Sequence, residues 1–213
     1  MIKKILNFKF VIRNCQKGMT YVELIVVLSI FSIMSVVVLA NYRDFNLKIE
    51  GKSLSNDIAL KIVEAQKKAM SGQLLADIRI TTVDPWRPAY GLYFNNTTGN
   101  NKKFIYFADI NNNSFNGKGG YGGSECGNPE TGCLDEISIN RNYFISDLII
   151  SCSGSDQKVD DLSIVFTRPD SSAKISSSSI SCENVSNATI DFSSSSSANS
   201  SIIIYPSGRI QIK

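Results

Sequence analysis

Hydrophobic and polar positions divide the chain into stretches with different periods. No charged residue interrupts the apolar run from Leu24 to Ala40, and adding Met19–Val22 brings it to about the 20 residues that a helix needs to cross a bilayer. Further along, apolar residues recur mostly at steps of three and four, which predicts an amphipathic helix as far as Ser71. The residues of this stripe are Phe45, Ile49, Leu54, Ile58, Ile62, Ala65 and Ala69.

After Gly72, a residue type that often ends helices, short alternating and aromatic stretches predict β-strands. Pro206-Ser207-Gly208 predicts a tight turn between the last two strands and hence an antiparallel hairpin. The serine-rich segments Ser176–Ser181 and Ser193–Ser201 predict loops. The predicted strands are Leu75–Val83, Tyr90–Phe94, Lys103–Ala108, Glu136–Ile139, Leu148–Ser151, Leu162–Thr167, Thr189–Phe192, Ser201–Tyr205 and Arg209–Ile212.

These elements predict an α+β fold, in which a long N-terminal transmembrane helix packs on a mostly antiparallel β-sheet head. Within the helix, Gly51 is expected to loosen the backbone locally, and Glu64 and Lys68 are spaced to form an ion pair. The predicted organisation is a leader over residues 1–18, a transmembrane and assembly helix over 19–41, its amphipathic half over 42–72, and a β-rich head over 73–213.

The charge distribution sets the leader apart from the rest of the chain. The 213 residues carry a net charge of +3, but five basic residues and no acid precede Gly18, so that removal of the leader would leave −2. The net negative charge of such a mature chain does not favour general binding of nucleic acid or anionic lipid. The basic leader instead predicts a cytoplasmic N-terminus and a head on the outer side of the membrane.

The five cysteines follow the same division. Cys15 lies in the leader, and the other four lie beyond the apolar run, where an oxidising compartment favours disulfides. We favour Cys126–Cys133, which closes a loop, and Cys152–Cys182, which joins two strands. Free thiols and a metal site are the alternatives, although the chain has no histidine and no Cys-x-x-Cys spacing for zinc.

Glu23 stands at the edge of the apolar run. A charged side chain at the centre of a membrane helix costs about 2.5–3.5 kcal/mol on insertion scales. Such a side chain therefore usually binds a partner group. A cleaved secretory signal ending at Val38-Leu39-Ala40 is one alternative. A simple membrane anchor whose Glu23 reaches the interface is another. Neither alternative explains the position of the acid.

Residues 17–40, KGMTYVELIVVLSIFSIMSVVVLA, resemble the class III signal of type IV pilins and type II secretion pseudopilins. The resemblance implies that a prepilin peptidase cleaves between Gly18 and Met19 and methylates the new N-terminus of Met19. It also implies that Glu23 pairs with the N-terminal amine of a neighbouring subunit in a filament. Met19 departs from the usual phenylalanine, and Ala40 stands where many pilins have a proline.

The expected function is that of a structural subunit. The precursor would cross the bacterial cytoplasmic membrane once, with its head outside, and would join other subunits in an extracellular or periplasmic filament after processing. Ser207-Gly208-Arg209-Ile210 in the last strand, together with the β-rich head, resembles the H-type minor pseudopilins and implies a minor subunit. A major subunit or another kind of minor subunit is the alternative, and the signal does not distinguish secretion, motility or adhesion, and DNA uptake.

The head offers few candidates for other chemistry. Asp109, Asn111 and Asn113 have oxygen ligands at alternate positions, as a calcium loop does, and Glu125, Asp135 or Glu136 could add acids. Ser114 and Gly120 stand where an EF-hand needs glycine and a bidentate acid, so a turn-rich hairpin loop is the favoured alternative. No cofactor is expected otherwise.

Catalysis and nucleic-acid binding have little support in the sequence. Without histidine no usual nucleophilic triad can form, and no phosphate-binding glycine motif is present. Capture of DNA by a minor pilin would need a basic patch. The candidates for that patch are Lys102, Lys103, Lys118, Arg209 and Lys213.

Overall fold

The structure is a computed structural model that describes residues 18–72, 88–109, 121, 126, 132–139, 142–182, 184–194 and 199–213, without the side chains of Arg43 and Asp44. The chain divides into two compact units, residues 1–43 and 44–213, which we describe separately. Some predicted features fall outside the described residues: the leader up to Lys17 with Cys15, the strand Leu75–Val83, and residues Asn111, Asn113, Ser114, Lys118, Gly120 and Glu125.

Helix α1 runs from Tyr21 to Ser71. It begins two residues after the predicted start and ends where the sequence predicted. Gly72 adopts a φ of 58°, and its N–H donates to the carbonyl of Ala69 at 3.1 Å. A glycine in this left-handed conformation closes the last turn at no steric cost, which confirms the predicted helix stop.

The described part of the head contains two five-stranded sheets in which the paired strands are antiparallel. Sheet one has the order β3-β2-β1-β6-β7, and sheet two has the order β10-β9-β8-β4-β5. The strands are β1 Ala89–Asn95, β2 Lys103–Asp109, β3 Cys133–Ser138, β4 Tyr143–Cys152, β5 Ser155–Val159, β6 Asp161–Phe166, β7 Ala173–Ser176, β8 Val185–Ser194, β9 Asn199–Ile204 and β10 Ile210–Ile212.

Most strand predictions are confirmed, but two strands were missed. Both are edge strands: β5 contains a single apolar residue, Val159, and β7 alternates over only four residues, which is too short a stretch to predict a strand with assurance. The predicted loop Ser193–Ser201 is also wrong at both ends, because β8 continues to Ser194 and β9 begins at Asn199. Ser194 is buried opposite Tyr143, so small polar residues here continue the strand pattern.

The second half of α1 packs on the core that the inner faces of both sheets form. Phe45 and Ile49 were predicted in the buried stripe, but they are 62% and 51% exposed, while Leu47 is buried. Positions two apart lie about 200° apart around a helix, so Phe45 and Ile49 face away from the side that buries Leu47. The buried hydrophobic side chains of this half are Leu47, Leu54, Ile58, Ile62, Ala65 and Ala69.

Gly51 permits a close contact instead of loosening the helix. It is buried and helical, and a Cβ placed on it would lie 2.6 Å from the hydroxyl oxygen of Tyr143. That hydroxyl donates to the carbonyl of Leu47 at 2.7 Å. Burial raises the pKa of Tyr143. The glycine therefore lets the tyrosine reach the helix backbone, which corrects the prediction.

Further polar contacts join this half of the helix to the head. The hydroxyls of Ser55 and Ser200 form a buried hydrogen bond at 2.7 Å, and the side-chain amide of Gln66 donates to the carbonyl of Ser171 at 2.9 Å. Because buried polar groups need partners, the buried bond between Ser55 and Ser200 favours one position of the helix on the sheets.

Candidate functional site

The residues at the predicted cleavage point are accessible. Gly18 and Met19 lie in irregular, exposed backbone immediately before α1. A Cβ placed on Gly18 would meet no atom of the described residues within 4 Å, its two chain neighbours apart. The described part of the chain therefore leaves the peptide bond between the two residues open to an enzyme.

Thr20 caps the start of α1. Its side-chain oxygen accepts a hydrogen bond from the N–H of Glu23 at 3.3 Å, and its carbonyl accepts one from the N–H of Leu24 at 3.1 Å. Thr followed three residues later by Glu is the spacing of a capping box. Sequence reasoning missed this role, although the spacing of Thr20 and Glu23 could have revealed it.

Glu23 consequently lies in the first turn of the helix, in a position with a local role. A negative charge there is stabilised by the partial positive charge of the helix N-terminus. Any function of Glu23 in assembly comes in addition to this local stabilisation, and experiments need to separate the two.

The first half of α1 is apolar and exposed around its circumference. From Tyr21 to Tyr42 every side chain is exposed except Ser35, which is partly covered. By length and composition the helix is long and apolar enough to cross a membrane. Soluble proteins rarely leave so large an apolar surface uncovered, which indicates a lipid or protein partner.

Three polar side chains within this half bond to the helix itself. Ser29 donates to the carbonyl of Val26 at 2.8 Å, and Ser35 donates to that of Phe31 at 2.8 Å. The amide of Asn41 donates to the carbonyl of Val37 at 3.0 Å. Because these groups are satisfied locally, they can enter an apolar environment without a partner from another chain.

An accessible peptide bond, a capped helix start, an acid in the first turn and an exposed apolar helix thus occur in succession. Residues 13–39 match the prokaryotic N-terminal methylation motif. This motif is characteristic of type IV pilins and pseudopilins, so the resemblance found in the sequence is confirmed. No curated protein and no solved structure matches the chain. The methylation motif ends at Leu39, before the head begins.

The fold agrees with the methylation motif. One long apolar N-terminal helix and a mostly antiparallel two-sheet head make an α+β, pilin-like fold, as predicted. The motif and the exposed helix support a prepilin-like subunit with an N-terminal membrane anchor.

The four cysteines beyond the helix form two disulfides. Cys126 is bonded to Cys133 at the start of β3, with 5.3 Å between the Cα atoms. Cys152 at the end of β4 is bonded to Cys182, with 5.9 Å between the Cα atoms. These are the two pairs favoured from the sequence, and both separations are ordinary for disulfides.

The described residues of the head do not form a site from the remaining candidates, which are the predicted calcium ligands and the basic residues. Asp109 ends β2, and Glu136 forms an ion pair with Lys103 at 3.2 Å. Among the residues that the structure describes, no three Cys, Asp or Glu side chains form a group that could hold a metal ion. The calcium hypothesis stays a prediction. Of the basic candidates, Arg209 stacks on the ring of Tyr205 at 4.0 Å.

Proposed function

We propose that the protein is a structural subunit of a type IV pilus or a type II secretion pseudopilus, without catalytic activity of its own. The observation that carries the proposal is the coincidence of the methylation motif with an exposed apolar helix that has Glu23 in its first turn. The partners are a prepilin peptidase, the cytoplasmic membrane and other subunits of the filament.

In the precursor, the first half of α1 spans the membrane and the head lies outside. After cleavage and methylation at Met19, extraction into a filament replaces lipid around the helix by helices of neighbouring subunits. In that low-dielectric surrounding an unpaired carboxylate is costly, so Glu23 pairs with the N-terminal amine of a neighbour. This pairing sets the axial position of each subunit relative to the next.

A minor subunit is the more specific form of the proposal. It rests on the β-rich head and on Ser207-Gly208-Arg209-Ile210 at the terminal hairpin, whose turn has Gly208 at a φ of 81°. Capture of DNA receives less support, because Lys103 is paired with Glu136 and Arg209 is stacked on Tyr205. Retention of the full chain in detergent on immobilised DNA, falling steeply with salt, would instead favour it.

Processing is tested by producing the full chain with a prepilin peptidase and determining the mature N-terminus by mass spectrometry. We expect a chain that begins with methylated Met19. Gly18→Val serves as the control, since the open surroundings of Gly18 make a folding defect an implausible cause of lost cleavage. A mature chain that begins at Asn41 would establish an ordinary signal peptide, and an uncleaved chain a simple anchor; both contradict the proposal.

Assembly is tested by comparing Glu23→Ala, Glu23→Gln and Thr20→Ala in sheared filaments. Glutamine can still serve in a capping box but carries no charge. If the charge pairs between subunits, both Glu23 variants lose incorporation while Thr20→Ala retains most of it. Incorporation of Glu23→Gln at the wild-type level would show that Glu23 acts through the helix start and that the pairing is wrong.

A further inference from the structure

Two tyrosines stand at the two ends of the charge-free part of α1. Tyr21 is 78% exposed and Tyr42 is 60% exposed. No charged residue occurs between Leu24 and Asn41. Tyrosine has an apolar ring and a polar hydroxyl, and it therefore concentrates at the two boundaries between membrane and water.

The separation of the two tyrosines equals the thickness of the apolar layer. They lie 21 positions apart on one continuous helix, which is about 31 Å at the helical rise. The hydrocarbon core of a bilayer is about 30 Å thick. A helix that stands nearly upright therefore places Tyr21 at one boundary when Tyr42 is at the other.

The backbone at the helix start requires the same placement. The first N–H groups of a helix have no partner within it. Thr20 accepts those of Glu23 and Leu24, and no residue that the structure describes accepts those of Tyr21 and Val22, which are left to bond with water or headgroups. Hydrocarbon supplies no acceptor, so this end of the helix belongs at the hydrated boundary.

We propose that Tyr21 and Tyr42 are the interfacial anchors that fix the depth of the precursor in the bilayer. This register puts Phe31 at the midplane. It puts Glu23 about 3 Å inside the boundary, two residues from Tyr21, where the carboxylate still reaches water. The inference rests on the proposed membrane insertion and adds a consequence: the need of Glu23 for a partner arises on extraction into the filament, because in the membrane its charge stays hydrated.

Depth is measured with tryptophan reporters in the full chain. Trp86 is the single tryptophan, so Trp86→Phe gives a silent background for Phe31→Trp or Tyr42→Trp. The protein is placed in phosphatidylcholine vesicles that carry bromine either deep or shallow in the acyl chains. We expect the Phe31→Trp reporter to be quenched at least about twofold more by deep than by shallow bromine, and the Tyr42→Trp reporter to show the reverse.

The anchor itself is tested in the Phe31→Trp background. Tyr42→Leu removes the hydroxyl, so the reporter should leave the midplane and its ratio of deep to shallow quenching should fall. Val38→Leu, one turn away on the exposed helix, is the control and should leave the ratio unchanged. An unchanged ratio in Tyr42→Leu overturns the anchor. Flotation of the protein with the vesicles is measured as well. If the protein floats but its quenching shows another depth profile, the register alone is wrong. If the protein does not float, the proposed membrane insertion is wrong as well.

Discussion

The two halves of α1 belong to one helix but have different surroundings. In the first half, Ile33 is 67% exposed, and the side chains on the other sides of the helix are exposed too. In the second half, by contrast, Ile62 is fully buried. The second half finds its apolar partner in the head of the same chain. The first half has no such partner within the described residues of the chain, so lipid or another subunit has to supply one.

Hydrogen bonding differs between the halves in the same sense. Ser35 in the first half bonds to its own helix, while Ser55 and Gln66 in the second half bond to the head. Consequently the first half can exchange lipid for protein without breaking these bonds, but the second half cannot leave the head without losing the buried bond of Ser55. The helix thus combines a first half whose surroundings can change with a second half that is bonded to the head.

The largest expected effect comes from one substitution made in both halves. Ile62→Ala leaves a cavity in the core and should lower the free energy of unfolding of the head by about 2–5 kcal/mol. Ile33→Ala should leave that free energy unchanged, because its side chain is exposed. The measurement is denaturation of the full chain in a mild detergent, followed by near-ultraviolet circular dichroism of the buried tyrosines. Equal losses in the two variants would contradict the division of the helix.

A smaller effect is expected where the helix meets Tyr143. Gly51→Ala puts a methyl group 2.6 Å from the tyrosine hydroxyl and 2.9 Å from its ring carbon Cζ. The tyrosine is fully buried and bonded to Leu47, so it cannot move freely. We expect a loss of about 1–3 kcal/mol, reduced by the better helix propensity of alanine.

A double variant tests whether the tyrosine causes that loss. Tyr143→Phe removes the hydroxyl that the new methyl group meets, so Gly51→Ala should cost less in the Tyr143→Phe background than in the wild type. Equal costs in both backgrounds would show that the hydroxyl does not cause the loss, which would then come from the ring carbons that phenylalanine keeps or from the helix backbone.

Periodicity in the sequence predicted the helix, its end at Gly72 and most strands, because each depends on local residue types. It failed at Phe45 and Ile49, because the step of five residues from Ile49 to Leu54 breaks the helical spacing. Leu47, by contrast, lies seven residues before Leu54, on the face that is buried. It also failed where a distant residue determines the packing. Gly51 appeared as a weak point, since its partner Tyr143 lies far away in the sequence.

The candidate site was predictable to a greater extent because it is contiguous. Gly18, Met19 and Glu23 lie within six residues, and the methylation motif confirms the resemblance of this region to pilin signals. What the sequence reading lacked was the cap by Thr20, which requires the observed start of the helix at Tyr21.

The cap offers a way to perturb the first half alone. Thr20→Ala removes the acceptor of the Glu23 N–H and should destabilise the first turn by about 1 kcal/mol. Amide hydrogen exchange of that turn in detergent should accelerate, while the unfolding of the head stays unchanged. Thr20→Ser is the matched control and should behave as the wild type. An effect on the head would mean that the two halves do not respond independently.

The smallest effect is expected from the surface charges of the second half. Glu64 bonds to Lys61 and Lys68, both at 3.0 Å. Its hydrogen bonds to Lys68 and then to Lys61 lower the pKa of Glu64 from its ordinary value of 4.5. A lowered pKa in the folded state means that the carboxylate adds stability above the unfolded value, and that this stability is lost as the pH falls through the folded value.

Glu64→Gln should therefore lower the free energy of unfolding at neutral pH by less than about 1 kcal/mol, because the pair is solvent-exposed. The difference from the wild type should vanish in acid below the folded pKa of Glu64, and it should shrink at high salt. Glu23→Gln in the first half is the control, and it should leave the pH dependence of the unfolding of the head unchanged. A difference for Glu64→Gln that persisted undiminished in acid and salt would show that its contacts act by packing along the helix and not by charge.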